Sequence, residues 1–333
     1  MIKLGIDALG GDNGVAEVLK AVMSEFKNNL DIKYVIFGNK ASIINHFNKL
    51  HFDFNNNRIE IINCNENIDM NEHPVFALRS KPDSSIFKAG QALINNQIDL
   101  FISAGSSGAL VALAQFYLKP INGVDRPVIG AIVPTTKEPM LILDAGSNVD
   151  SKPEWLYQYS ILANEYYKLM FNNTKPTVAL LSVGTEENKG NNLTLEAYKL
   201  IENNSNINFI GNVEARDLTS GICNILITDG FAGNVFLKTY EGTAKLMLEL
   251  IKSQIKSSII SMLGGLLIKS SIKKLFKKYD AKIYGGAPIL GANYLVLKCH
   301  GNSMAGEYIY TIRQGYNLVK KDIINSINKN FGD

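Results

Sequence analysis

Apolar residues fall along this chain in short runs of strand type, and five of these runs break directly into loops of Gly, Ser, Asn or Asp. Leu4 to Ala8 enters Gly10-Gly11-Asp12, Leu100 to Ala104 enters Gly105-Ser106-Ser107-Gly108, and Leu141 to Leu143 enters Asp144-Ala145-Gly146-Ser147-Asn148. Val178 to Val183 enters Gly184-Thr185-Glu186-Glu187, and Ile225 to Thr228 enters Asp229-Gly230. Between such runs the apolar spacing changes to a helical period. Helices are expected over 15–28, 84–95, 109–118, 153–171, 193–203, 233–257 and 304–328. Strands are expected over 3–8, 34–37, 59–63, 100–103, 128–133, 140–144, 177–182, 208–211, 225–228 and 296–298. The alternation predicts an α/β fold with a mainly parallel sheet covered on both faces. Right-handed crossovers then place the strand C-termini, and all five loops, on one edge, where backbone N–H groups and helix N-termini suit an anionic ligand.

The pattern changes at Gly242. An apolar stripe through Leu246, Leu248, Ile251 and Ile255 reaches the cluster from Ile259 to Ile268 and returns through Ile272, Leu275 and Phe276. The paired Gly264-Gly265 predicts a helical hairpin with an apolar apex, its outermost contacts being Leu263, Leu266, Leu267 and Ile268. Charge sharpens this picture. The whole chain carries only +3, yet residues 244–278 hold eight lysines against Glu249 alone, leaving a mildly acidic body. Apolar area beside clustered lysine fits a surface that docks on anionic lipid, and equally an arm that buries itself against a second subunit. The division expected is a catalytic domain over 1–241 and 280–333 with an arm over 242–279.

The small net charge argues against a nucleic-acid binder. Cys64, Cys223 and Cys299 have neither metal nor disulfide spacing, and Cys64 and Cys223 lie in apolar surroundings that suggest buried thiols. The chain opens on a strand without a leader pattern, and no apolar run approaches the roughly 20 residues that span a bilayer, so a cytoplasmic location is expected.

Several polar constellations remain as candidate chemistry. Asp229-Gly230-Phe231-Ala232-Gly233-Asn234, with Lys238 one turn on, combines glycines that permit close approach, an amide and a cation; a simple strand-to-helix turn capped by Asp229 explains the same pattern. Thr185 to Asn191 brings two acids, an amide and Lys189 into one loop, or is a solvated surface turn. Ser151 before Pro153 reads as an N-cap. His300, beside Gly301-Asn302-Ser303, is either structural or catalytic. Gly105-Ser106-Ser107-Gly108 lacks the nucleophile-elbow pattern and fits an anion cradle better. Arg79-Ser80-Lys81-Pro82 precedes a serine-capped helix and is an anion site or a basic turn. Gly10-Gly11-Asp12 fails the dinucleotide spacing, which excludes NAD, and no residue cluster has metal-ligand spacing, so neither a cofactor nor a metal is expected.

Taken in order, Ile6 to Asp12, Ser103 to Leu110, Leu143 to Asp150, Gly184 to Asn191, Asp229 to Lys238 and Gly285 to Gly301 resemble the bacterial phosphate acyltransferases, which make acyl phosphate from acyl-[acyl-carrier-protein] and inorganic phosphate for phospholipid synthesis. The resemblance spans nearly the whole chain. It implies a three-layer α/β/α fold like those of isopropylmalate dehydrogenases and phosphotransacetylases, a homodimer, acyl-carrier protein as partner, and peripheral attachment to the inner face of the cell membrane. Because phosphate attack on a thioester needs positioning and charge neutralisation, Lys189 and Asn234 are the expected catalytic residues. Phosphate or substrate contacts are assigned to Gly10, Gly11, Asp12, Ser106, Ser107, Gly108, Asp229, Gly230, Lys238 and His300. The chain departs from the family pattern at Ser106-Ser107, where the family has Asn-Thr, and at Asn13 and Met304, where it has His and Asp. The rivals are a phosphotransacetylase acting on acyl-coenzyme A and a non-catalytic lipid- or carrier-binding scaffold.

Overall fold

The computed structural model describes residues 1–28, 31–54 and 56–331, with only the backbone of Phe276, Lys277 and Lys278. The part of the apolar return and of the lysine cluster expected at those three positions therefore lies outside the described side chains. Eleven strands form one sheet: β1 (Ile2–Asp7), β2 (Ile32–Gly38), β3 (Ile59–Asn63), β4 (Leu100–Ser103), β5 (Val128–Val133), β6 (Met140–Leu143), β7 (Thr177–Leu181), β8 (Asn208–Val213), β9 (Ile225–Ile227), β10 (Ala287–Leu290) and β11 (Leu295–Lys298). Their spatial order is β3-β2-β1-β4-β11-β10-β5-β6-β9-β7-β8.

Alternation along these strands explains the layers. Leu4, Ile6, Tyr34, Ile36, Leu100 and Ile102 in one half of the sheet, and Leu141, Leu143, Val178, Leu180, Ile225 and Ile227 in the other, join a single core on one face. That core is covered by α1 (Gly14–Lys27), α2 (Lys40–Lys49), α6 (Pro153–Phe171), α7 (Asn192–Glu202), α10 (Ala305–Lys320) and α11 (Ile323–Lys329). The intervening residues Val35, Phe37 and Phe101 face a second core under α3 (Pro74–Ser80), α4 (Ser85–Ile94) and α5 (Ser107–Leu113). Met140, Ile142, Ala179 and Leu226 face a third, against the start of α8 (Gly230–Ile255). The three-layer α/β/α expectation is met.

The single functional edge is not. Strands β3, β2, β1, β4 and β11 run parallel to one another, and so do β6, β9, β7 and β8. Between them β10 is antiparallel to β11 and β5, and β5 is antiparallel to β6, so the two parallel halves point in opposite directions. Only the start of β5 pairs with β10, through Val128 and Ile129, while Gly130 to Val133 pair with β6. The halves are therefore offset along β5, and their C-terminal edges face one another across a cleft instead of lying side by side. The loops after β1 and β4 belong to one edge, those after β6, β7 and β9 to the other.

Helix α8 is 26 residues long, roughly 39 Å at 1.5 Å per residue, and turns at Lys256–Ser258 into α9 (Ile259–Lys278). The turn thus precedes the glycine pair. Gly265 instead lets α9 close on α8, since a Cβ there would lie 2.5 Å from Ile255 Cγ2. Ile259, Ile260, Leu263, Leu266, Leu267 and Ile268 remain exposed, Leu267 at 86%. The protruding hairpin agrees with expectation, whereas its apex is the polar turn Lys256–Ser258 and the exposed apolar residues lie along the first half of α9. No helix among the described residues is long and apolar enough to cross a membrane.

Candidate active site

Each edge is organised by a buried aspartate at a strand end. Asp7 Oδ1 accepts the N–H groups of Leu9 and Gly10 at 2.9 and 3.0 Å, while Oδ2 accepts the Ser103 hydroxyl at 2.6 Å. Ser103 Oγ in turn accepts the Gly105 N–H at 2.9 Å. On the other edge Asp144 Oδ1 accepts from the N–H groups of Gly146 and Ser147 at 2.8 and 2.6 Å, and Oδ2 from that of Asn148 at 2.8 Å. Burial raises the Asp144 pKa above the ordinary carboxylate range, opposed by these donors.

Helix α8 is set against this second loop by two glycines. A Cβ on Gly233 would lie 2.0 Å from the Asp144 carbonyl oxygen, and one on Gly230 would lie 2.7 Å from that of Asn148. Asp229 caps the helix, its Oδ1 accepting from Phe231 and Ala232 at 2.9 Å each. Asn234 is thereby pressed to Gly146, whose φ of +120° leaves room for it.

Between the edges lies a cavity of about 610 Å³. Ser107 and Gly146 enter from the two loops, Asn234 and Lys238 from α8, and Lys298 and His300 from the end of β11. Desolvation, and secondarily the Lys238 charge, lowers the Lys298 pKa, although its Nζ donates to the Cys299 carbonyl at 3.0 Å. His300 is likewise held below ordinary basicity by desolvation and then by Lys298 and Lys238, so it is neutral at neutral pH. The acids nearby are engaged: Glu241 pairs with Lys238 at 2.9 Å, and Glu307 pairs with Lys282 and accepts the Ser303 hydroxyl at 2.6 Å. With Lys282 and Lys238 each paired to an acid, Lys298 is the cavity lysine in no ion pair among the described residues, and beside the neutral imidazole and the Asn234 and Asn302 amides it suits a compact anion next to a polarisable carbonyl.

The family described as "Fatty acid synthesis protein" matches residues 2–326. A phosphate acyltransferase of Clostridium botulinum (strain Alaska E43 / Type E3) is 43% identical over 331 residues, covering 99% of both chains. One of Dictyoglomus turgidum is 41% identical over 333 residues, covering 98% of each. The chain belongs to the phosphate acyltransferase family. In fold, this family member is similar to a phosphotransacetylase from Streptococcus pyogenes, with TM-score 0.64 at 17% identity over 96% of this chain and 94% of that one. It is also similar to a 4-hydroxythreonine-4-phosphate dehydrogenase from Salmonella typhimurium, with TM-score 0.55 at 10% identity over 96% and 99%.

The residues expected from the sequence separate into two groups. Ser107, Asn234, Lys238 and His300 meet in the cavity. Gly10, Gly11, Asp12, Ser106, Asp229 and Gly230 do not line it and act as scaffold: a Cβ on Gly10 would lie 2.6 Å from the Gly105 nitrogen, and the Asp12 N–H donates to the Gly301 carbonyl at 2.6 Å. Ser106 caps α5, accepting from Ala109 at 3.4 Å. Gly108 faces a smaller adjoining space. Lys189 is exposed in the loop after β7, one strand beyond β9 on the same edge, and does not line the cavity. Asn13 and Met304, the two departures from the family pattern, touch one another, Asn13 Nδ2 lying 3.4 Å from Met304 Sδ.

Other expectations resolve differently. Ser151 does not cap α6; its hydroxyl donates to the Asn148 carbonyl at 3.0 Å. Lys81 is taken by Glu72 at 2.5 Å, so one of the two cations in the turn before α4 is held in an internal ion pair. All three cysteines are buried, their thiols pushed up to about 12 by desolvation, which leaves them inert as nucleophiles at neutral pH. Among the described residues no group of three or more His, Cys, Asp and Glu is arranged to hold a metal. Sequence reasoning missed Lys298 and Asp144 as individual site residues. A charge closing the apolar run Leu295-Val296-Leu297 was the available signal for the first, and an acid closing Leu141-Ile142-Leu143 for the second.

Proposed function

We propose that this cavity transfers the acyl group of an acyl-[acyl-carrier-protein] thioester to inorganic phosphate, releasing the carrier thiol and an acyl phosphate for phospholipid synthesis. Acyl transfer to phosphate follows from family membership. The observation that carries the rest of the reading is the convergence of Lys238, Lys298, His300 and Asn234 from two opposed sheet edges on one space.

Phosphate is nucleophilic and a thioester has a good leaving group, so positioning and charge neutralisation are the main tasks. A phosphate oxygen attacks the thioester carbonyl carbon. The new C–O bond yields a tetrahedral oxyanion, which the Asn234 amide stabilises while Lys238 and Lys298 hold the phosphate oxygens. Collapse breaks the C–S bond, and the proton of the attacking hydrogen phosphate passes to the departing sulfur, with neutral His300 suited to carry it. The reaction so written uses no cofactor. On this reading Lys189, exposed in the loop after β7 and in no ion pair among the described residues, acts from the rim of the same edge.

The unit over 1–241 and 280–333 holds this chemistry, and the arm over 242–279 supplies a lysine-flanked apolar end for the cytoplasmic membrane face. That arm also leaves area for a second copy, consistent with a homodimer. Free-thiol release from palmitoyl-[acyl-carrier-protein], measured with and without phosphate and with hydroxylamine trapping, tests the reading. Phosphate-dependent release with hydroxamate formation is expected. Turnover of acyl-coenzyme A alone would give the phosphotransacetylase chemistry, and silence with both would leave a scaffold.

A further inference from the structure

The reaction above occupies one of two spaces that meet at Ser107, Ile129 and Gly146. The other, about 250 Å³, is walled by Pro74, Val111, Ala112, Phe116 and Pro127. Ser107, Ser147 and two amides interrupt this apolar lining: Asn148, whose Nδ2 already donates to Asp144 and to the Tyr159 hydroxyl, and Gln115. Gln115 lies in the five-residue π-helical turn Ala114–Leu118 that follows α5, a widened turn of the kind that accumulates at functional sites. Its Oε1 is buried with no hydrogen-bond partner. A buried acceptor left without a donor is costly, and a turn of the Gln115 amide into the channel, where a ligand N–H can meet it, removes that cost. The channel is also lined by Arg126, an exposed residue whose guanidinium lies 5.4 Å from the Trp155 ring centroid, with Lys152 Nζ at 5.7 Å over the same ring. Neither cation joins an ion pair among the described residues.

We infer that this channel holds the pantetheine arm of the thioester donor, with Gln115 Oε1 accepting an amide N–H of the arm and Arg126, beside Lys152, meeting the phosphodiester at its outer end. The inference rests on the acyl-thioester reading above. A phosphopantetheine arm is a narrow chain with two secondary amides and an anionic terminus, which matches a space with apolar walls at Val111, Ala112 and Phe116, an unpartnered acceptor at Gln115 and an exposed cation at Arg126. An acyl chain would match none of the polar features. It has a better wall in the larger cavity, where Ala131, Val133 and Leu237 lie beyond Asn234. The thioester carbon then falls at the junction, between Ser107 and Gly146, within the space that Asn234 faces.

The test compares donors that share the thioester and differ in the arm: acyl-[acyl-carrier-protein], acyl-pantetheine and the N-acetylcysteamine thioester, which keeps one amide and lacks the phosphodiester. For Arg126→Glu, on the surface, the ratio of kcat/KM for the carrier-protein donor to that for the N-acetylcysteamine thioester should fall by about tenfold or more, through KM. For Gln115→Leu the same ratio should fall for acyl-pantetheine. Val111→Trp, which narrows the channel, should impair the carrier-protein donor at every acyl length. Equal effects on all donors, or a shift of Val111→Trp toward shorter acyl chains, would overturn the inference, the latter by putting the acyl chain in this channel. Failure of the wild-type protein to release thiol from any donor would instead remove the functional reading beneath it.

Discussion

The two edges of the sheet solve one problem in the same way and put the result to different uses. Each places a buried aspartate at a strand end, Asp7 or Asp144, to collect the N–H groups of the next loop. On the first edge the glycine loops then close on one another, Gly10 against Gly105 and Gly11 against Gly301. The N–H groups of Gly10 and Gly105 and the carbonyl of Gly301 are taken up within the fold. On the second edge the glycines clamp a long helix onto the loop instead, and its next residues, Asn234 and Lys238, face the cavity. A glycine-rich loop that looks ready for an anion is therefore as readily a joint between loops as a binding site. What distinguishes the second is that its glycines meet a helix rather than another loop.

The sharpest way to break this comparison is to remove each aspartate. Asp144→Ala and Asp7→Ala should both lower unfolding free energy by about 3 kcal/mol or more, because several buried donors lose their acceptor. Denaturant melts measure that. Their turnover should diverge: the folded fraction of Asp144→Ala loses activity by roughly the hundred- to thousandfold typical of a displaced oxyanion donor, while that of Asp7→Ala keeps most of it. Equal losses of turnover would show that the loops held by Asp7 position Lys298 and His300 as critically as Asp144 positions Asn234.

Next in size, Asn234→Ala should cut kcat by about a hundredfold or more with an unchanged melting temperature, since its side chain is exposed to the cavity. Lys189→Ala, acting from the rim, should cost about ten- to a hundredfold, and near-normal turnover would take Lys189 out of the mechanism. A smaller effect is expected from pH. Because desolvation lowers the Lys298 pKa below its ordinary 10.5, its charge disappears as pH rises through that lowered value, and the KM for phosphate should climb several-fold there. Lys298→Arg, whose charge persists, should move that climb to higher pH. Smallest in its effect on turnover, Leu266→Glu with Leu267→Glu should abolish sedimentation with anionic vesicles and change activity on soluble donor by no more than about twofold. Retained sedimentation would assign the exposed apolar end of α9 to a second subunit.

Much of this is legible in the sequence. Strand residues such as Leu4, Ile6, Leu100 and Ile102 alternate or run apolar as buried parallel strands must, and the Asp229 cap, Asn234, Lys238 and His300 were all readable. The reversal of the sheet was not. It depends on β10, whose Pro288 sits opposite Leu297 in mid-sheet, a position where proline argues against a strand. Nor does any local pattern reveal that β5 changes partner at Gly130, which offsets the two halves. Without that offset the five loops read as one edge, with the glycines after β1 and β4 beside Asp229 and Asn234 in a single pocket. Lys298 was hidden for a different reason: a lysine closing a strand is ordinary until its burial is known.

The most direct measurement follows the nucleophile itself, by running the reaction of acyl-[acyl-carrier-protein] with phosphate labelled in heavy oxygen and reading the products by phosphorus NMR and mass spectrometry. Direct attack by phosphate predicts an acyl phosphate that retains every labelled oxygen, the bridging one included, formed in step with free carrier thiol. Unlabelled free fatty acid with no acyl phosphate would contradict the account, because the cavity would then be delivering water rather than phosphate to the thioester.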